Sequence, residues 1–195
     1  MRFIHVADVH WGMVPDADQP WGRDRANDIR ATFRRIIERC RESNVDCLFI
    51  AGDLFHRQPM NKDLQELNYL FGTIPSTHVV IISGEHDRIE ANSALLSFNW
   101  SPNVHWILED TPQSLYFDDI NTEVYGFSYH TRELRETVID GIQPAEDGHI
   151  HILLAHGGDR DHMPVETETL AALPFDRARR APRDLCGHAG AARAE

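Results

Sequence analysis

The chain has 195 residues, of which 42% are hydrophobic and 26% charged, and its formal net charge is -12 at pH 7. This composition is typical of a globular protein with a sizeable core, and it excludes a disordered or fibrous chain. The acidic excess argues against a broad basic surface for nucleic acid, although bound metal ions could supply local positive charge.

The first half of the chain alternates between strand and helix patterns. Arg2–Ala7, Val45–Ala51 and His78–Ser83 are apolar runs of strand length. Between them, residues 24–43 carry an apolar stripe at helical spacing, and a second helix begins at Asn61, which we expect to be its N-cap. The order β-α-β-α-β predicts a parallel sheet with helical crossovers.

The spacing of the predicted elements changes in the second half. Val104–Leu108, Ser114–Phe117 and Glu123–Tyr129 are short strands with no room for crossover helices between them. They predict an antiparallel extension or a second sheet. Thr131–Ile139 has the pattern of a short helix, and His149–Ala155 is again a buried strand.

The composition of the chain changes near Pro174. Residues 176–195 contain five arginines and six alanines but only one large aliphatic residue, Leu185. A segment with so little apolar surface cannot offset the entropy of ordering. We therefore expect a folded domain over residues 1–175 and a poorly ordered tail without strands over residues 176–195.

The sequence also bears on cellular location. No apolar run approaches the roughly 18–20 residues of a membrane span, and Met1–Ala7 is too short for a signal peptide. The three cysteines, Cys40, Cys47 and Cys186, cannot all pair and show no CxxC spacing. They predict reduced thiols in a cytoplasmic protein with no membrane partner.

Four short polar motifs follow predicted strands. In an α/β sheet, functional groups gather outside the carboxyl ends of the strands, so these motifs point to one shared site. Each motif alone is also typical of a turn, but four in succession at strand ends favour a site. The motifs are Asp8-Val9-His10, Gly52-Asp53, Gly84-Glu85-His86-Asp87 and His156-Gly157-Gly158.

The residue types of the motifs indicate metal chemistry. Carboxylate oxygen and imidazole nitrogen together suit Mn, Fe or Zn better than Ca or Mg. A carboxylate can bridge two cations that lie about 4 Å apart, the arrangement of two-metal phosphoester hydrolysis. A histidine beside such a pair can protonate the leaving oxygen.

The four motifs resemble the signature of calcineurin-like metallophosphoesterases, which is Asp-x-His, Gly-Asp, Gly-Asn-His-Asp, a later His, and Gly-His-x-His. The strings Ile4–His10, Ile50–His56 and Tyr125–Tyr129 are most similar to the SbcD-type DNA repair exonuclease branch. The resemblance covers about residues 1–175. It implies an α/β sandwich of two β-sheets flanked by helices, four layers in the order αββα, which would be C-terminally incomplete here.

The resemblance also implies a metal-dependent hydrolase with two divalent ions, Mn being expected and Fe or Zn being alternatives. Asp8 and His10 would bind the first ion, His156 the second, and Asp53 both. Glu85 stands where the family has an asparagine ligand. Glutamate can also coordinate through oxygen, but it is one methylene longer and adds a negative charge.

Catalytic roles and partners follow from the same resemblance. His86 would act on the leaving group, with Asp87 as its orienting partner, and the neighbouring Arg88 could contact a phosphate or form a surface ion pair. DNA would be the substrate. Family members work as homodimers with an SMC-like ATPase that has long coiled coils.

The closing Gly-His-x-His motif is missing. The family pattern places it shortly after Leu173–Asp176, where this sequence has Gly187-His188-Ala189-Gly190. His188 is the one metal-ligand candidate of the tail. Without the motif each ion keeps three protein ligands, so we expect weak or absent hydrolysis, and residues 177–195 look like a truncated or frame-shifted end.

Several other residues have both a structural and a functional interpretation. His56 either supports the site or shapes its loop, and Trp11 and Trp21 either stack on bases or pack in the core. His5, His78 and His151 lie within or beside predicted strands and are expected to be structural, whereas His130 and His162 are loop residues with no further indication of a role.

Three functions remain open from the sequence alone. The first is a metal-dependent DNA repair nuclease. The second is a phosphoesterase that acts on smaller substrates, which a substrate panel with Mn would separate from the first. The third is a non-catalytic binding module that keeps the fold, which the bound metal per chain would distinguish from both.

Overall fold

The structure is a computed structural model, and it describes most of the chain. Among the described residues two α-helices and nine strands form a layered α/β domain. For the last two strands only the backbone is described. The described residues are 1–139, 142–157, 163–164, 173 and 175, with the backbone of 177–179 and 190–193.

The first sheet has five strands in the order β4-β3-β2-β1-β9. Strands β1 to β4 are parallel, as the alternating pattern predicts, and β9 pairs antiparallel with β1. The strands are β1 (Arg2–Val6), β2 (Cys47–Ala51), β3 (His78–Ile82), β4 (Val104–Ile107) and β9 (Gly190–Arg193).

The second sheet has four strands in the order β5-β6-β7-β8. The β5–β6 pair is antiparallel, whereas β6, β7 and β8 run parallel to one another. This sheet confirms the predicted change of architecture in the second half. The strands are β5 (Gln113–Phe117), β6 (Thr122–Gly126), β7 (Ile150–Leu154) and β8 (Arg177–Arg179).

Helices α1 (Gly22–Ser43) and α2 (Asn61–Gly72) connect the first three strands and cover one face of the first sheet. The α1 stripe of Phe33, Ile37 and Cys40 is buried, as its spacing predicts. Full burial of an aromatic or large aliphatic side chain contributes about 2 kcal/mol each, so this face holds the helix to the sheet.

The two sheets pack face to face. Phe3, Phe49 and Val80 of the first sheet meet Val124 and Ile152 of the second in one apolar cluster. The outer face of the second sheet is covered by a third cluster, in which irregular chain rather than a helix supplies the covering residues in the described range. The arrangement confirms the two-sheet sandwich that the sequence predicts.

Three sequence predictions about elements are wrong in detail. Thr131–Ile139 contains no helix, because its few apolar residues pack individually against the second sheet. Strand β4 extends the first sheet in parallel through a long irregular connection, and does not start the second sheet. Asn61 is the first residue of α2 and not its cap; the N-cap position is Met60, whose N–H donates to Asp63.

The tail also differs from expectation. The backbone of Arg177–Arg179 and Gly190–Arg193 forms strands β8 and β9, although the composition of these segments predicts none. Their pairing uses backbone groups and so needs no apolar pattern. His188 and the other residues of the tail lie outside the described residues, so a poorly ordered tail stays a prediction.

The cysteines and helices bear on the predicted location. Cys40 and Cys47 are free, and burial raises the pKa of each thiol to about 12, which makes both unreactive. Cys186 and His162 lie outside the described residues. Neither helix of the described part is apolar enough over a sufficient length to cross a bilayer.

Candidate metal centre

The ends of four strands supply the polar side chains of one site. Strands β1, β2 and β3 of the first sheet and β7 of the second all point their carboxyl ends toward it, and the side chains come from the loops that follow directly. The structure therefore brings the side chains of the four predicted motifs together. The side chains are Asp8, His10, Asp53, Glu85, His86 and His156.

The first two loops are held in an unusual backbone conformation. Asp8, His10 and Asp53 have φ angles of 52°, 50° and 52°, in the left-handed region that aspartate tolerates better than most residues. The backbone N–H of Asp8 donates to the Gly52 carbonyl at 3.2 Å, and that of His10 donates to the Asp53 carbonyl at 3.0 Å. These bonds fix the two loops against each other and turn their side chains inward.

Asp53 is the centre of the cluster, and it is only 1% exposed. Its Oδ1 accepts a hydrogen bond from the backbone N–H of His86 at 3.0 Å. Its Oδ2 lies 3.9 Å from Nε2 of His10 and 3.8 Å from Nε2 of His156. The carboxylate thus lies between the groups of the first loop and those that follow β3 and β7.

Glu85 and His156 form the opposite side of the site. Nε2 of His156 lies 2.8 Å from Oε2 of Glu85, while its Nδ1 lies 2.7 Å from the carbonyl oxygen of Ala51 and donates to it. Burial alone would lower the pKa of His156, but the hydrogen bond to Glu85 and the charge of Asp53 outweigh it and raise that pKa to about 9.

Three imidazoles gather beside Asp53. Nδ1 of His56 lies 3.4 Å from Nδ1 of His10, and the ring of His56 stacks on His86 with centroids 5.1 Å apart. Burial and the neighbouring His86 and His56 lower the pKa of His10 to about 4, so its ring is neutral near pH 7. A neutral imidazole is the form that binds metal ions.

His56 contacts this cluster through its ring and through its backbone. Its carbonyl oxygen also lies 2.9 Å from Nδ1 of His86, which donates to it. Its position three residues after Asp53, within one strand-end loop, was the available signal. That signal was weak because nothing in the sequence shows which way the loop turns.

The side chain of Asp87 is completely buried, and its two oxygens accept hydrogen bonds from backbone N–H groups. Its Oδ2 accepts from the N–H of Phe55 at 3.0 Å and its Oδ1 from the N–H of Gly84 at 2.8 Å. The contact expected between Asp87 and the His86 ring is supplied here by His56. Asp87 instead joins the loops that follow β2 and β3.

Two glycines make room for the site. A Cβ on Gly52 would lie 2.5 Å from Cγ of His156, and Gly52 also has a φ of 83°. A Cβ on Gly84 would collide with Oδ1 of Asp53 and lie 2.7 Å from Nε2 of His156. The side chains of the centre therefore occupy the volume that any other residue would need at these positions.

The donor set fits a divalent cation. Asp8, His10 and Asp53 each offer a ligand atom within 4.8 Å of the others, and so do Asp53, Glu85 and His86. Burial, together with the charges of Asp87 and Glu85, raises the pKa of Asp53. A cation would remove the cost of burying this carboxylate beside two others, so these residues are suited to hold metal ions.

The remaining candidates lie at or outside the edge of the site. Arg88 forms an ion pair with Glu90 and donates to the Glu85 carbonyl at 3.3 Å. An ion pair was one of the two roles that the sequence left open for this residue. Trp11 is 1% exposed and packs on Phe33 in the core, whereas Trp21 is 53% exposed and stays accessible for stacking.

Comparison with known proteins assigns a family to nearly the whole chain. Residues 1–192 match the family described as calcineurin-like phosphoesterase. The chain is 45% identical over 193 residues to the DNA double-strand break repair protein Mre11 of Methanopyrus kandleri, a match that covers 90% of this chain and 42% of that protein.

Two further relatives carry related names. The chain is 37% identical over 91 residues to the protein of the same name from Archaeoglobus fulgidus, covering 45% of this chain and 20% of that protein. It is 34% identical over 104 residues to a subunit of the nuclease SbcCD from Rhodobacter capsulatus, covering 49% of this chain and 24% of that subunit. The chain spans less than half the length of each of these relatives.

Proposed function

Because the chain belongs to the calcineurin-like phosphoesterase family, we propose that it hydrolyses phosphodiester bonds, with DNA as substrate and two divalent metal ions at the centre around Asp53. The position of the Asp53 carboxylate supports the two-ion arrangement. It lies within 4 Å of imidazole nitrogens on both sides, 3.9 Å from His10 and 3.8 Å from His156.

The ligand roles follow from this position. Asp8 and His10 would hold one ion, Glu85 and His156 would hold the other, and Asp53 would contribute to both. Bound there, such ions supply the Lewis-acid chemistry that activates water and neutralises charge on a phosphodiester, with Mn the proposed metal. The carbonyl of Ala51 accepts from Nδ1 of His156, so Nε2 is the nitrogen that would face an ion once its proton and its bond to Glu85 are displaced.

His86 is proposed as the proton donor to the leaving oxygen. Its Nδ1 donates to the carbonyl of His56, so the nitrogen that faces the site is Nε2, which lies 4.0 Å from Oδ2 of Asp53. The protonated ring can deliver the Nε2 proton to the leaving oxygen while the backbone bond keeps it oriented. Its side chain is 34% exposed, so substrate can reach it.

DNA is proposed as the substrate because two of the relatives are named as DNA double-strand break repair proteins and another as part of a nuclease. A homodimer and an SMC-like coiled-coil ATPase partner are proposed by the same likeness. A cytoplasmic location stays a prediction from the sequence.

A non-catalytic binding module is the second candidate. Oε2 of Glu85 lies 2.8 Å from Nε2 of His156, so two proposed ligands of the second ion are already bonded to each other. An ion must displace that bond to bind. If the bond prevails, the fold could contact DNA or a partner without hydrolysing a phosphodiester.

One experiment separates these possibilities. Purified chain is loaded with Mn, freed of excess metal, and assayed for metal per chain and for hydrolysis of linear duplex DNA and of bis-p-nitrophenyl phosphate. Bound metal with DNA degradation supports the nuclease. Hydrolysis of the small ester alone indicates a phosphoesterase for smaller substrates, and a chain without bound metal or turnover indicates the binding module.

We expect His86→Ala to lower turnover by roughly 100-fold while the metal content stays at the parent level, because proton donation is lost but no ligand is removed. Turnover and metal content are measured on the same preparation. His130→Ala, which changes an exposed loop histidine outside the centre, is the control and should keep parent turnover. Loss of metal in His86→Ala would make His86 a ligand.

We expect Glu85→Asn to raise the affinity for the second metal ion or the rate of hydrolysis. Asparagine removes a negative charge that would repel a phosphodiester at the proposed centre, and it removes the carboxylate that holds Nε2 of His156. Metal titration and turnover are compared with Glu90→Gln, which removes a nearby charge outside the centre. Lower turnover in Glu85→Asn would show that the site is adapted to a carboxylate.

A further inference from the structure

A second polar cluster lies on the outer face of the second sheet. Glu123 of β6 is the register partner of His151 on β7, so their side chains lie side by side on that face. His149 and Asp147 precede β7 on the same segment. The sequence alone indicates only structural roles here, because the two strands are far apart in the chain.

The contacts of this cluster converge on Asp147. Its Oδ1 lies 3.0 Å from Nε2 of His151, and its Oδ2 lies 3.0 Å from Nδ1 of His149. The other ring nitrogen of His151 lies 3.5 Å from Oε2 of Glu123, which also accepts a hydrogen bond from Tyr125 at 2.7 Å. His151 therefore lies between the carboxylates of Asp147 and Glu123, and His149 contacts the other oxygen of Asp147.

We propose that this cluster is a zinc site, in which Glu123, Asp147 and His151 are the ligands and His149 holds the Asp147 carboxylate in place. Imidazole nitrogen and carboxylate oxygen are the donors that zinc prefers in combination. Ligating carboxylates are themselves hydrogen-bonded in metal sites, and His149 contacts Asp147 in this way, with its Nδ1 3.0 Å from Oδ2.

Burial and spacing support the proposal. The side chain of His151 is 7% exposed, so its ring is held in place, whereas His149 and Asp147 are each 31% exposed and can adjust to an ion. Glu123, Asp147 and His151 offer ligand atoms within 4.8 Å of one another. Tetrahedral zinc with bonds of about 2.1 Å needs ligand atoms roughly 3.4 Å apart, which small movements of the partly exposed Glu123 and Asp147 would provide.

This site is distinct from the centre around Asp53. His151 lies near the start of β7, while His156 follows its end. Five residues of extended strand separate them by roughly 16 Å. A zinc ion here would fasten the segment before β7 to the second sheet, so its effect would be on stability and not on hydrolysis.

The test compares the parent with His149→Ala and Asp147→Asn. Both positions precede β7 and are partly exposed, so neither change empties a core position. Asparagine also keeps an oxygen that accepts the N–H of His149. His130→Ala is the matched control. Each protein is equilibrated with buffered zinc alone, and bound zinc and the melting temperature with and without zinc are measured.

We expect the parent and His130→Ala to bind one zinc ion more per chain than His149→Ala and Asp147→Asn, or to bind that ion at least tenfold more tightly. We also expect zinc to raise the melting temperature of the first two by more than that of the others. Equal zinc content and equal thermal shifts in all four proteins would overturn the proposal. Circular dichroism without zinc confirms that the variants fold.

Discussion

Asp53→Ala is expected to reduce bound metal to less than about a tenth of the parent level. Its carboxylate lies within 4 Å of ring nitrogens on both sides of the centre, at 3.9 Å from His10 and 3.8 Å from His156. Removing it takes a ligand from both proposed ions at once. The measurement is metal per chain after loading with Mn and removal of excess ion.

The control for this result is Asp28→Ala, an exposed aspartate on α1 far from the strand ends. It should keep parent metal content. Asp53→Asn serves as a second variant, because it preserves the side-chain shape and an oxygen for the N–H of His86. Metal content equal to the parent in both Asp53 variants would remove Asp53 from the centre.

Gly84→Ala is expected to lower hydrolysis by at least about 100-fold, although it changes no charged or ligating group. The added Cβ would collide with Oδ1 of Asp53 and lie 2.7 Å from the ring of His156, so both side chains must move. Displacement of reacting groups by about 1 Å commonly costs this much in rate. Turnover and metal content are the readouts.

Gly72→Ala is the matched control for Gly84→Ala. Its Cβ would meet only the hydroxyl of Ser101 at 3.3 Å, at the end of α2 and away from the centre. It should leave turnover unchanged. Parent-like turnover in a folded Gly84→Ala protein would mean that the centre tolerates the displacement. The close approach of Gly84 to Asp53 and His156 would then not matter for hydrolysis.

The location of the centre was predictable from the sequence for a specific physical reason. The residues of Asp8-Val9-His10 and Gly52-Asp53 follow buried parallel strands, and the carboxyl ends of such strands meet at one edge of a sheet. The strand pattern and the positions of the motifs are therefore enough to predict that these residues lie close together. His156 was predictable on the same basis, although its strand belongs to the other sheet.

The details that failed depend on contacts between distant segments. Trp11 lies next to a ligand motif, yet its ring packs on Phe33, and only the path of the loop decides this. The pairing of β4 with β3 depends on a connection with no regular period, so no local pattern predicts its direction. The hydrogen bond from His86 goes to the backbone carbonyl of His56. Because any residue type has this carbonyl, the sequence does not reveal the contact.

The centre takes its side chains from loops of both sheets. It can therefore form only after the strands of both sheets have been synthesised. Asp8 and Asp53 leave the ribosome early, but His156 follows the seventh strand and emerges only after nearly all of the described chain. At roughly 5–20 residues per second, synthesis between the first and last of these residues takes on the order of ten seconds. A nascent chain therefore presents an incomplete ligand set throughout that interval. Any capacity to cut a phosphodiester would arise only once the second sheet has docked.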